Sequence, residues 1–290
     1  MEKVRPRVVI SRCIEFESVR WNAQIIRSEF VEDLIPHVEA ITVCPEVGIG
    51  LGVPRETLRL VRVGEELRLM QPTIGMDLTD RMVGYIDSLL EGLPEVDGFI
   101  LKGRSPTSAL KDAKIYPSLG KVASVGRGPG VFGGIVRERF PHLALEDEGR
   151  LRNGRIREHF LRKLYALAGF RGVKESGGLK ELLRYHTVNK LLLKAYSEQE
   201  SRAMGRIVAE GSKRHLGALI GEYEVHLHSA LRRPPRCTSY INALTNSMGF
   251  FSRRITKGER DFFLDALRRY WERKVPLIVP VDIMRSWIVR

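Results

Sequence analysis

The sequence predicts an α/β domain built on a parallel, Rossmann-like sheet, followed by an all-α helical domain. Three observations carry that prediction. Short, continuous, β-branched apolar runs alternate with helix-period segments in the first half of the 290 residues. Such runs mark strands covered on both faces. Beyond residue 145 the strand signal stops, and apolar residues recur at i, i+3, i+4 and i+7. The sign of the charge changes at the same place.

In chain order, PRVVISRC (6–13) reads as the first strand and FVEDLIPHV (30–38) as a helix. AITVCPE (40–46) reads as the second strand. LRLVRVGEELRLMQP (58–72) suggests a hairpin turning at Gly64-Glu65. LTDRMVGYIDSLLEGL (78–93) has helical spacing, and DGFILKG (97–103) is a further buried strand. Strand, helix, strand, helix is the arithmetic of a parallel sheet with crossover helices. Five amphipathic helices follow, at 157–170, 178–197, 200–211, 216–231 and 259–273. The boundary falls in EDEGRLRN (146–153), giving an α/β domain over 1–147 and a helical domain over 148–290.

Net charge is +13, but residues 1–150 carry 20 Lys and Arg against 22 Asp and Glu, whereas 151–290 carry 28 against 13. An excess of positive charge confined to one half points to a polyanionic partner, because each neutralised phosphate releases counterions. The competing account is a solvated, Arg-rich helical surface. No segment approaches the roughly 18 apolar residues of a membrane helix, so no membrane partner is expected. MEKVRP does not resemble a secretion signal, so a cytoplasmic location is expected. Three cysteines, Cys13, Cys44 and Cys237, are too few for a disulfide framework and suit a reducing compartment.

Ligands of open parallel sheets bind beyond the carboxyl ends of the strands. Cys13, Cys44 and the turn RSPTS (104–108) all stand at such ends. A single cysteine is most simply a small buried hydrophobe. The shared placement favours a common site instead, and neither cysteine belongs to the Cys-x-x-Cys pair of a zinc knuckle.

ISRC, VCPEVGIGLGVPRE, DGFILKGRSP, GPGVFGG, EDEGRLRN and the closing RSWIV resemble the two-domain relatives of thiouracil desulfidase over nearly the whole chain. The resemblance implies a desulfidase joined to a helical domain and removing sulfur from 4-thiouridine in tRNA. It also implies a four-iron, four-sulfur cluster held by three cysteines, with the fourth iron open to the substrate's sulfur. Cys13 and Cys44 match two of those ligands. The third family cysteine lies in Ser-Pro-Ser-Cys-Gly, where this chain reads Ser105-Pro106-Thr107-Ser108-Ala109. Serine oxygen is a hard ligand whose proton leaves reluctantly, so with Ser108 at the third metal position the cluster is expected to be labile or absent. Cys237, in RRPPRCTSY, is expected to be structural.

Thiocarbonyl hydrolysis needs an attacking water, a group that moves protons and groups that orient the ring. Glu46 is the expected acid or base, with a cap or ion pair as its other reading. Lys102, Arg104 and Ser105 are expected to orient the base or its phosphate. GRGPGVFGG offers Gly128, Gly130 and Gly133 as a phosphate cradle, or simply a tight turn. Arg152 and Arg155, in a stripe with His159 and Arg162, are candidate RNA contacts, as are His186, Lys190 and Lys194 at i, i+4 and i+8. Tyr185, Tyr196 and Trp271 have core-like spacing, and His226 and His228 point apart on their helix. Two alternatives remain: a non-catalytic nucleic-acid-binding protein, and a desulfidase of free thiouracil or thio-nucleotides.

Overall fold

A computed structural model describes residues 4–211 and 214–290. Strands β1 (Arg7–Ser11), β2 (Glu39–Val43), β6 (Gly98–Leu101) and β9 (Ala144–Asp147) form a parallel sheet in the order β2-β1-β6-β9. β1 is central, and its Val8, Val9 and Ile10 are wholly buried, as a strand with helices on both faces requires. Helix α1 (Glu29–Leu34) lies between β1 and β2 in the chain, and α3 (Thr79–Glu91) precedes β6.

A second, five-stranded sheet was only partly visible in the sequence. β3 (Arg59–Val63) and β4 (Glu66–Gln71) make the expected antiparallel hairpin, and Gly64 takes the left-handed conformation (φ 63°) that its turn requires. β5 (Met76–Asp77), β7 (Ala113–Tyr116) and β8 (Gly126–Gly128) complete the order β5-β4-β3-β7-β8. These added strands are two to four residues long, too short for an alternating pattern to register.

Contacts divide the chain into two compact units, one ending at Gly172 and the other spanning Val173–Arg290. The first runs past its last strand because helix α5 (Gly154–Ser176) sends Phe160 and Leu164 into the core beside Val8, Ile10 and Ile100. On the same helix, buried Arg171 pairs with buried Asp97 at 3.1 Å, and Asp97 also accepts the Arg7 amide at 2.7 Å.

The second unit contains α6 (Leu179–Tyr196), α7 (Glu198–Ala209), α8 (Leu216–Ala230), α9 (Cys237–Met248), α10 (Lys257–Trp271) and α11 (Ile278–Val289). Helix α10 begins with a capping box in which Thr256 and Glu259 satisfy each other's backbone amides. Helices α9 and α11 were not expected from sequence. The first is rich in Ser, Thr and Asn, and the second carries Pro280 near its start, so intrinsic propensity argues against both. Packing of Phe263, Leu267, Met284 and Trp287 with Ile241 and Leu244 overrides that preference. Among the described residues no helix is long and apolar enough to cross a membrane.

Candidate functional site

A cavity of about 380 Å³ opens at the carboxyl ends of β1, β2 and β6. It is lined by Cys13, Cys44, Glu46, Lys102, Arg104, Ser105 and Ser108, all singled out from sequence, together with Ser11, Arg20, Trp21 and Arg55.

Each arm of the site is fixed by its own bonds. Ser11 Oγ accepts the Lys102 amide at 2.9 Å, joining the ends of β1 and β6. Cys44 stands at the N-cap position of the four-residue helix α2 (Pro45–Gly48) without a side-chain cap bond, and its Sγ lies 4.0 Å from Val19 O. The third arm is the turn 105–109, where Ser105 Oγ accepts the amides of Thr107 (3.2 Å) and Ser108 (3.0 Å). Helix α4 (Val131–Arg139) grips that turn from behind. Gly130 N–H donates to Ala109 O, Val131 N–H to Pro106 O, and the amides of Phe132 and Gly133 to Thr107 O.

The phosphate cradle expected of Gly128, Gly130 and Gly133 is therefore absent. Gly128 ends an edge strand, and the amides at the start of α4 are spent on carbonyls of the 106–109 turn. The glycines serve close approach instead. A Cβ at Gly133 would lie 2.1 Å from Ala109 O, and one at Gly130 would lie 2.5 Å from Thr107 O. The sequence pattern of a phosphate loop and that of a backbone-on-backbone contact are the same pattern.

Two ion pairs anchor the cavity-lining cations Arg55 and Lys102. Glu46 is clasped by Arg55 through two guanidinium nitrogens, with Nε at 2.9 Å, and its Oε1 accepts Thr107 Oγ1–H at 2.9 Å. Arg55 also donates to Val19 O at 2.9 Å, so this side chain ties together the loops that follow β1 and β2. Lys102 Nζ pairs with Glu148 at 2.5 Å, while Glu148 Oε2 accepts the Gly103 amide at 2.8 Å. Arg55 and Glu148 were not singled out from sequence. Both sat in blocks already noted, VPRE and EDEG, but nothing in their spacing distinguished a partner from a solvated charge.

Burial pushes the Cys13 thiol up to about 12, reinforced by neighbouring Cys44 and opposed by the Lys102 charge. Burial likewise raises the Cys44 thiol, against the amides that favour its thiolate. A four-iron, four-sulfur cluster on three thiolates does not fit this donor set. Two thiols and the hydroxyl of Ser108 face the cavity, and a serine oxygen lacks the softness and acidity that iron–sulfur ligation uses. Cys237, the first residue of α9, is not among the lining residues. Among the described residues, no group of three or more His, Cys, Asp and Glu side chains is arranged to hold a metal.

The expected RNA contacts divide. Arg152 and Arg155 are exposed, the first in a 3-10 turn (Arg150–Arg152) and the second in the first turn of α5. Lys190 is exposed and Lys194 half-buried on α6. His186 does not join them. It is buried, with Nδ1 3.1 Å from Tyr223 Oη, and burial lowers its pKa. The four-residue spacing with Lys190 holds, but the helix is rotated so that His186 falls on the packed side. Tyr185 is buried as its spacing implied, whereas Trp271 is 62% exposed. His226 pairs with Glu200 at 2.6 Å.

Residues 8–148 match the family model described as 2-thiouracil desulfurase, and residues 190–290 match that of a protein family of unknown function, DUF1722. The chain is 27% identical over 136 residues to the uncharacterized protein YbgA of Escherichia coli (strain K12), covering 46% of this chain and 80% of that protein. A solved structure described as the 4Fe-4S-dependent thiouracil desulfidase TudS is 25% identical, covering 51% of this chain and 94% of that one, with a TM-score of 0.39. The chain carries a domain of the 2-thiouracil desulfurase family at 8–148, followed by a DUF1722 domain at 190–290.

Proposed function

We propose that this protein is a desulfidase for a thiolated uracil ring, with 4-thiouridine in tRNA as its substrate and with cluster retention impaired by Ser108. What supports the reading is one observation: Cys13, Cys44, Glu46, Lys102, Ser105 and Ser108 line a single cavity within the residues that match the desulfurase family. The tRNA part rests on the basic second half, where exposed Lys190 meets the requirement for phosphate contacts.

The overall reaction converts a thiocarbonyl and water into a carbonyl and hydrogen sulfide. Glu46, held in place by Arg55 and Thr107, takes a proton from the attacking water. Lys102, oriented by Glu148, and the hydroxyls of Ser105 and Ser108 donate to the ring and hold it in register. A second reading, a nucleic-acid-binding protein without catalysis, is favoured by the hydroxyl at position 108. Anaerobic incubation with tRNA containing 4-thiouridine decides between them. Sulfide release with loss of the thiocarbonyl absorption is expected; tRNA binding with the thiocarbonyl intact in both the native protein and Ser108→Cys would favour the second reading.

A further inference from the structure

We infer that the outward face of the five-stranded sheet, at its β7 and β8 end, is a docking surface for the sugar-phosphate backbone of RNA, with Lys114 and Arg127 as its phosphate contacts. This rests on the tRNA part of the reading above and puts an RNA contact on the desulfurase-family domain, outside the cavity.

Over residues 1–150 acidic side chains outnumber basic ones by 22 to 20, so a count of charge by halves gives no sign of such a face. The fold gathers cations locally. In the antiparallel ladder of β7 and β8, Lys114 stands directly opposite Arg127, and both are exposed. Like charges opposite each other on a sheet are destabilising. Among the described residues neither side chain has an ion-pair or hydrogen-bond partner. The stretch 111–127 adds Lys111 and Lys121 and holds a single carboxylate, Asp112, whose Oδ1 accepts the Arg104 amide at 2.8 Å.

The same face supplies a comparison. Val61 pairs with Tyr116 on one side and with Arg68 on the other, so strand alternation puts Arg68, Tyr116 and Lys114 on one face. Arg68 lies 2.5 Å from Glu66, 3.3 Å from Asp80 and 3.9 Å from Asp77. The β4 end of the face therefore neutralises its own cation, whereas the β7 and β8 end leaves two opposed cations for a polyanion to neutralise.

The setting favours a nucleic-acid strand over a lipid surface. The Arg59 guanidinium stacks on the Tyr116 ring at 4.7 Å and donates to Gly120 O at 3.0 Å, a fixed plane of the kind on which RNA bases stack. β8 is an edge strand, and Arg127 is flanked there by Gly126 and Gly128. A Cβ at Gly126 would meet nothing within 4 Å, so packing does not demand glycine, and the bare edge leaves room for another chain's backbone to lie beside it. The exposed apolar residues nearby are Val122 and Val125, not the Trp, Phe and Leu that enter a bilayer interface.

The test is binding of an unmodified tRNA transcript to the full-length protein across a salt series. Lys114→Gln combined with Arg127→Gln should lower affinity about tenfold at physiological salt and reduce the log K against log salt slope by about two. Its melting temperature should not fall, since the change removes a repulsion, and Arg68→Gln should leave the slope unchanged. A slope unchanged in the double variant, or equally reduced in Arg68→Gln, would overturn the surface. So would a double variant that loses binding to phosphatidylserine vesicles while keeping its tRNA affinity. A native protein that binds no tRNA overturns the surface together with the tRNA part of the reading. Sulfide release from free 4-thiouridine is scored separately. A flattened slope without release upholds the surface and sinks the desulfidase reading, whereas release with an unchanged slope overturns the surface and leaves that reading standing.

Discussion

Thr107 Oγ1 donates a hydrogen bond to Glu46 Oε1 across 2.9 Å, so the turn bearing Ser108 is tied to the short helix that follows Cys44. Arg55 completes the clamp from the other side, and only 6% of its side chain is exposed. Removing one partner of a buried ion pair leaves the other charge stranded, which costs far more than removing both. Arg55→Met is therefore expected to lower unfolding free energy by about 3 kcal/mol in urea titrations. Arg55→Met with Glu46→Gln should recover part of that loss, and a double variant no more stable than the single one would refute the clamp.

Much of this was legible in the sequence. Continuous apolar runs identified β1, β2 and β6, and the residues that end them identified three of the cavity's arms. Partnership was not legible, because nothing local tells Glu46 that its cation is Arg55 rather than water. The glycines at 130 and 133 misled for a related reason: they signal that something approaches the backbone closely, without saying whether it is a phosphate or Ala109 O. His186 shows the limit of helical periodicity, which fixes relative angles along α6 while tertiary packing fixes the zero of rotation.

Lys163 on α5 is buried, and desolvation lowers its pKa from 10.5 to about 8. Below about pH 8 both folded and unfolded chains hold the proton, and the folded chain carries the full cost of a buried ammonium. Between about 8 and 10.5 the unfolded chain binds the proton and the folded chain does not, so this contribution to stability rises with pH. Lys163→Met should accordingly stabilise the protein at pH 7 by up to roughly 3 kcal/mol, with the gain fading as pH approaches 10.5. A gain in denaturant midpoint that is the same at pH 7 and pH 10 would contradict the burial argument.

The correction at His186 separates two kinds of change in tRNA binding. Replacing Lys190 and Lys194 together by Ala should weaken binding of the full-length protein to any tRNA and reduce the log K against log salt slope by about two. His186→Asn removes the bond to Tyr223 and should lower the melting temperature while leaving that slope unchanged. Filter binding across a salt series reads both, and a flattened slope in His186→Asn would return that residue to the RNA-facing surface.

Ser108 bears most directly on chemistry, because it occupies the place where a third soft ligand would stand. Ser108→Cys supplies a thiol from the turn clamped by Thr107 and α4, so the three sulfurs would project from three strand ends that already share one cavity. After anaerobic reconstitution, Ser108→Cys should carry more iron and acid-labile sulfide per chain than the native protein and release more sulfide from 4-thiouridine in tRNA. Adding Cys44→Ser to that background should abolish both gains, because the donor set returns to two thiols. Adding Cys237→Ser should leave both in place, since Cys237 does not line the cavity. A Ser108→Cys protein that stays iron-free and inactive while still binding tRNA would transfer the weight of the argument to the non-catalytic reading.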